Sequence, residues 1–180
     1  EILRCLVGSE MCIRDRNMQK RHTDRESYFD EQSQTSKNYY IPYIKEVIGH
    51  IPDKVLEVGC GEGGNLLPFA KAGCRVMGVD IDAMRIEQAR AFFAQRHQQG
   101  QFIATDIFQL EDKATNFPLI LLHDVIEHIR DKERFLSGLQ KHLSADGAVF
   151  VGFPAWQMPF GGHQQIAHSH IAVSYTHLTL

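Results

Sequence analysis

Long apolar stretches are missing from this 180-residue sequence. No run approaches the ~20 consecutive apolar residues needed to cross a bilayer as a helix, and no secretory leader is recognisable. Basic charge is not in excess either. Lys and Arg number 19 against 22 Asp and Glu, a net charge of −3, and no basic cluster stands out, which argues against nucleic acid as the main partner. Cysteine is scarce: of the four present, Cys5 and Cys12 fall in an N-terminal segment set aside below. The remaining pair, Cys60 and Cys74, offers neither a disulfide framework nor zinc-ligand spacing, so a reducing, cytoplasmic setting is expected. Internal repeats and low-complexity tracts are absent.

Two terminal segments stand apart from the rest. Residues 5–16 (CLVGSEMCIRDR) and 173–180 (VSYTHLTL) resemble translations of the two transposon adapters used in sequencing libraries. We therefore expect 1–16 and 173–180 to be adapter-derived and 17–172 to be one native domain, cut on its C-terminal side. The first 16 residues carry three acidic and three basic side chains, so the native part keeps the same net charge.

Between those segments, strand and helix patterns alternate, as in a parallel sheet with helices on both faces. Strands are expected at 54–58, 75–79, 101–104, 118–122 and 148–153. The fourth is a continuous apolar run, suited to a central strand covered on both sides. A polar lead-in over 17–38 precedes a helix at 42–49 opened by Pro42. Further helices are expected at 65–72, at 82–96 with Asp82 as N-cap, briefly at 125–129, and at 132–143. In the last of these Phe135, Leu136, Leu139 and Leu143 form the buried stripe, and 144–147 reads as a turn. Right-handed crossovers favour a doubly wound, Rossmann-like α/β sheet in the order 3-2-1-4-5. That order reverses between strands one and four, which opens a crevice flanked by Gly59 and His123.

The most informative segment runs from Val55 to Asn65, VLEVGCGEGGN. An apolar strand leads into a glycine-rich turn and then a helix start, and such a turn lets a ligand approach main-chain N–H groups. Gly59, Gly61 and Gly64 also satisfy the GxGxxG spacing of dinucleotide-binding folds. Glu57 separates the two possibilities. A carboxylate two residues before the first glycine would repel a pyrophosphate in a partly desolvated crevice, whereas a cofactor bearing an ammonium and a sulfonium would suit it.

The run Glu57-Val58-Gly59-Cys60-Gly61-Glu62-Gly63 resembles the first motif of class I S-adenosylmethionine-dependent methyltransferases, and the resemblance extends over about 55–153. It implies S-adenosyl-L-methionine as cofactor. Gly59, Cys60, Gly61 and Gly63 would then surround its methionine moiety, and Glu57 would lie near its ammonium, directly or through the loop's hydrogen bonds. Asp80 would accept both ribose hydroxyls, with Ile81 against the adenine face. Asp106 would accept from the adenine amino group with Ile107 beside it, or simply cap a turn. His123 would line the methionine side through its backbone carbonyl. The family's domain usually continues through two further strands after strand five, so their absence and an exposed sheet edge are expected.

On the acceptor side, His123-Asp124-Val125-Ile126-Glu127-His128 resembles the Glu-His segment of ubiquinone-biosynthesis-type O-methyltransferases. Residues 153–165 are rich in aromatic, Met, Pro and Gly residues, a composition that fits a shaped apolar pocket for a small-molecule acceptor. His128 and His163 are the candidate general bases, needed only where the acceptor must lose a proton to become nucleophilic. The alternative for Glu127-His128 is that it holds its own loop in shape. His163, His168 and His170 lack a carboxylate or cysteine at ligand spacing, so no metal is expected. Tyr28, Phe29, Tyr39 and Tyr40 would form a lid or pack a leader helix on the sheet. Two other functions stay open: a cofactor-binding protein without catalysis, and an NAD-dependent oxidoreductase.

Overall fold

The computed structural model describes residues 24–110 and 114–152. Its chain order is helix α1 (Arg25–Thr35), a π-helical turn (Ser36–Tyr40), α2 (Ile41–Ile48), strand β1 (Lys54–Val58), a 3₁₀ turn (Gly64–Leu66) and α3 (Leu67–Lys71). There follow β2 (Arg75–Asp80), α4 (Ala83–Gln95), β3 (Gln101–Ala104), a 3₁₀ turn (Ile107–Gln109) and β4 (Phe117–His123). A third 3₁₀ turn (Ile126–His128), α5 (Lys132–Leu139) and β5 (Leu143–Gly152) complete the described elements. The five strands form one sheet in the order β3-β2-β1-β4-β5, every pairing parallel. Elements from Glu26 to Gly152 pack as one unit. Among the described residues, no helix is long and apolar enough to cross a membrane.

Alternation along the central strands divides the core in two. Val55, Val76, Leu119 and Leu121 face Phe29, Phe69, Ile86 and Phe93. Leu56, Val58, Ile120 and Leu122 face Ile107, Phe135 and Leu139 on the other side. Because β1 and β4 are covered on both faces, their apolar runs are continuous, and this made them legible in sequence. By the same parity, Glu57 shares the face of Val55.

Three expectations change. The lead-in over 17–38 is polar in sequence, and from Arg25 onwards it is helical. Its face carries a single fully buried anchor, Phe29, which stacks at 5.1 Å on Phe92 and meets Phe93 edge-on. Arg96 clamps this helix from α4: it donates to Asp30 at 2.7 Å and Glu26 at 3.3 Å while its guanidinium lies 4.5 Å from the Phe29 ring. Tertiary contacts therefore create a helix that periodicity does not announce.

The last helix ends at Leu139 rather than at 143, and Leu143 opens β5 instead of completing the helix stripe. The expected turn at 144–147 falls inside β5 as an irregularity. Phe117 pairs with Leu143 and Leu119 with Ala148, so residues 144–147 face Pro118 alone. Pro118 has no N–H to give the ladder, so pairing breaks there and the neighbouring strand bulges. Gly147 suits the bulge because a Cβ would lie 2.7 Å from the Leu143 side chain and 2.9 Å from the Phe117 carbonyl. Finally, the short helix expected at 125–129 is a 3₁₀ turn, whereas that at 65–72 opens with a 3₁₀ turn and continues as α-helix over Leu67–Lys71. In the sheet order, β5 is an edge strand among the described residues.

Candidate functional site

The glycine loop leaves β1 with three left-handed residues: Gly59, Gly61 and Gly63 have φ of 71°, 52° and 81°. A side chain at Gly63 would strike the Phe102 ring 2.8 Å away, and one at Gly59 would collide with Val125. Both positions therefore require glycine for conformation and for space. The loop's donors are already engaged. Gly59 and Cys60 donate to the Val79 carbonyl, Gly63 donates to the Cys60 carbonyl, and Gly61 donates to Asp80 Oδ2 at 2.8 Å. A phosphate-cradling loop turns such N–H groups toward its ligand. Here those four donate inside the protein, so the expectation of free loop donors does not hold for them. The Cys60 side chain points into the core and touches the space over Gly78, and burial pushes its thiol well above the usual range. Cys60 thus contributes backbone to the loop and its thiol to packing.

Beneath the loop lies Glu57, 1 % exposed. Its Oε1 accepts from Asn65 Nδ2 at 2.8 Å, and Asn65 is held in turn through its carbonyl by the Ser36 hydroxyl, also at 2.8 Å. Glu57 Oε2 is buried without a hydrogen-bond partner, as are Asn65 Oδ1 and Gln32 Oε1. Burial raises the Glu57 carboxyl to about 8, opposed by the Asn65 hydrogen bond and reinforced by Asp80. Sequence reasoning located Glu57 but missed Asn65 and Ser36. The one signal for Asn65 was an amide opening an otherwise apolar turn.

Asp80 joins the two halves of the crevice. Oδ2 receives the Gly61 N–H and Oδ1 receives the Asp82 N–H at 2.9 Å. Each oxygen keeps a further lone pair. Asp82 caps α4 by accepting from Met84 and Arg85, as its sequence position implied. Ile81 is 83 % exposed and Met84 75 % exposed, a solvent-facing apolar lip beside Asp80. Arg85 bridges the loop and α4, with Nε 4.0 Å from Glu62 and 3.6 Å from Asp82. After β3, Asp106 caps the following turn by accepting from Phe108 N–H at 3.0 Å. The Ile107 side chain turns into the core with Phe135 and Leu139, while Phe108 lies on the surface.

At the end of β4 the chain turns sharply through Asp124, φ 54°, whose N–H donates to Gly152. The His123 ring lies 5.6 Å from Tyr40, and Tyr40 lies 4.8 Å from Phe150. Burial, with Asp124 and Glu57 adding, pushes the Tyr40 phenol up to about 12. The π-helical turn thus seats Tyr40 against β4 and β5, while Phe29 is buried in the core, as the packing alternative for these aromatic residues has it. Glu127 is buried with neither oxygen hydrogen-bonded, and its Oε1 is 4.0 Å from His128 Nε2. His128 is partly exposed. The segment 153–165, with His163, and residues 168 and 170 lie outside the described residues.

A parallel sheet ordered 3-2-1-4-5, with its glycine turn after β1 and a carboxylate closing β2, is the architecture of class I methyltransferases. The chain belongs to the methyltransferase-domain family, whose model matches residues 56–149. It is 32% identical over 118 residues to the ubiquinone biosynthesis O-methyltransferase of Bartonella quintana (strain Toulouse), covering 63% of this chain and 48% of that protein. The chain therefore spans about half the length of the curated relatives it matches. Among solved structures it resembles PKMT2 from Rickettsia typhi in complex with AdoHcy, with a TM-score of 0.56 and 28% identity over 64% of this chain and 25% of that one. It also resembles coclaurine N-methyltransferase bound to N-methylheliamine and SAH, with a TM-score of 0.55 and 25% identity over 62% and 34% of the two chains.

Proposed function

We propose that this chain binds S-adenosyl-L-methionine in the crevice between β1, β2 and β4 and methylates a small-molecule acceptor, at oxygen by preference, in the cytoplasm. The observation that carries this reading is a buried carboxylate, Glu57, beneath a glycine loop with four N–H groups engaged internally. Such a loop offers a phosphate few free donors, and the carboxyl beneath it suits a cation, whose charge favours its ionised form. The orphaned Glu57 oxygen is the fit expected for an ammonium-bearing cofactor. When bound, that cofactor supplies an electrophilic methyl group on a sulfonium.

The chain's residues then position and shield. The remaining lone pairs of Asp80 would accept the two ribose hydroxyls, Ile81 would lie against the adenine and Asp106 would accept from its amino group, while the Ile107 side chain, turned into the core, takes no part. Backbone of Gly59, Cys60, Gly61 and Gly63 surrounds the methionine end, with the His123 carbonyl opposite. In-line displacement chiefly demands alignment and exclusion of water, a task that suits Tyr40 beside His123. His128, with its Nε2 4.0 Å from the Glu127 carboxylate, is the candidate to remove the proton from an acceptor hydroxyl, and His163 is the second candidate for that role.

Calorimetric titration with S-adenosylhomocysteine and separately with NAD, followed by turnover on a panel of hydroxylated and aminated small molecules, tests this reading. Binding of the first ligand with turnover supports it. Binding without turnover on any acceptor favours a non-catalytic cofactor-binding protein, and binding of NAD alone favours an oxidoreductase.

A further inference from the structure

The cluster under the glycine loop is rich in acceptors and poor in donors. Glu57 Oε2, Asn65 Oδ1 and Gln32 Oε1 are all buried without a hydrogen-bond partner. They come from β1, from the turn before α3 and from α1, and Gln32 packs directly on Gly64. The titratable groups that act electrostatically with Glu57 are Asp80 on β2, Tyr40 on the π-helical turn and Cys60 in the loop. None of them is cationic. Asp124 and Glu62 lie one step further out, acting on Tyr40 and Cys60. Arg85, the cation that reaches this loop, is engaged by Glu62 and Asp82.

An ionised carboxylate in that setting lacks both a counter-charge and a donor for its second oxygen, a costly arrangement in a buried site. A proton on Glu57 corrects the first fault, because a neutral carboxyl needs no counter-charge in a buried site. A cationic ligand beside the loop corrects the first fault in a different way, by stabilising the carboxylate.

We infer that Glu57 holds a proton in the cofactor-free protein and releases it to solvent when the positively charged methyl donor enters the crevice, so that donor binding is coupled to proton release. This rests on the function proposed above. The O–H bond of the carboxyl breaks, the proton passes to buffer, and the remaining carboxylate faces the incoming ammonium. Burial favours the protonated form through neutral pH, with a carboxyl value of about 8. Tyr40 and Cys60 are both held neutral by burial and by acidic neighbours, so of these groups Glu57 is the one able to change charge.

The test is calorimetry of the full chain with S-adenosylhomocysteine, which keeps the ammonium, in buffers of differing ionisation enthalpy between pH 6 and 8.5. Release of close to one proton is expected near pH 7, with affinity rising about tenfold from pH 6 to 7 and levelling above pH 8. In Glu57→Gln the proton release disappears and affinity no longer follows pH. Asn65→Ala, which removes the bond opposing protonation, shifts the release to higher pH and serves where the Gln variant does not fold. An infrared difference spectrum gives a second readout: loss of a protonated carboxyl band on binding, absent in Glu57→Gln. Tight binding with no proton released and affinity flat over this range would overturn the inference and leave the functional reading standing. No binding at any pH would overturn both.

Discussion

Asp80 accepts from Gly61 with one oxygen and from Asp82 with the other, so a single side chain ties the glycine loop to the start of α4. Asp80→Asn replaces one acceptor oxygen by a donor that opposes a backbone N–H. Loss of one charge-assisted bond of about 1.5–3 kcal/mol corresponds to a ~10- to 150-fold fall in S-adenosylhomocysteine affinity, which calorimetry measures directly. His128→Ala separates chemistry from scaffolding: as a general base, His128 contributes about 10²–10⁴ in turnover, with cofactor affinity unchanged. An unaltered rate–pH profile in that variant would assign Glu127-His128 to loop shape alone. At this scale, the carboxylate in β1 was legible because charge in an otherwise apolar strand is unusual. Its partners were not, since Asn65 and Ser36 reach Glu57 only after the chain folds back. Ile107 shows the opposite limit: its position after β3 was legible, but its side chain faces the core, which spacing alone does not reveal.

Among the elements, the segment from α1 through the π-helical turn is the one that sequence pattern concealed. It is mostly polar, and its attachment rests on Phe29, Ser36 and the Arg96 clamp rather than on an apolar stripe. Ser36→Ala removes the hydroxyl without adding bulk and leaves the buried Asn65 carbonyl without that donor, a loss of about 1–3 kcal/mol that thermal melting detects. Arg96→Met removes exposed-partner ion pairs of small worth, so the melting point moves little. Amide exchange in α1 nevertheless accelerates, because the clamp on its outer face is gone. The strands behaved differently. β1 and β3 match their expected limits, and β2 and β4 extend by a residue or so, because alternation and two-sided burial write their signal locally. β5 was misjudged at its start, where Pro118 on the neighbouring strand sets the bulge, a cause lying on another element.

For the whole molecule, Glu57 links stability to pH. Its folded-state value lies above its ordinary value of 4.5, so its contribution to stability is full below about pH 4.5 and is lost as pH rises toward about 8. The difference in melting temperature between cofactor-free wild type and Glu57→Gln therefore shifts by several degrees, in favour of the variant, between pH 5 and 8. Saturating S-adenosylhomocysteine removes most of that shift, since the ligand's ammonium then balances the carboxylate. The central claim is that the crevice at the reversal of strand order was shaped for a cationic methyl donor and not for a dinucleotide phosphate. Equilibrium titration of the full chain with S-adenosylhomocysteine and with NAD, side by side at one pH and salt, tests it most directly. The account predicts saturable binding of one S-adenosylhomocysteine per chain and none of NAD; saturable binding of NAD, or no binding of S-adenosylhomocysteine, would contradict it.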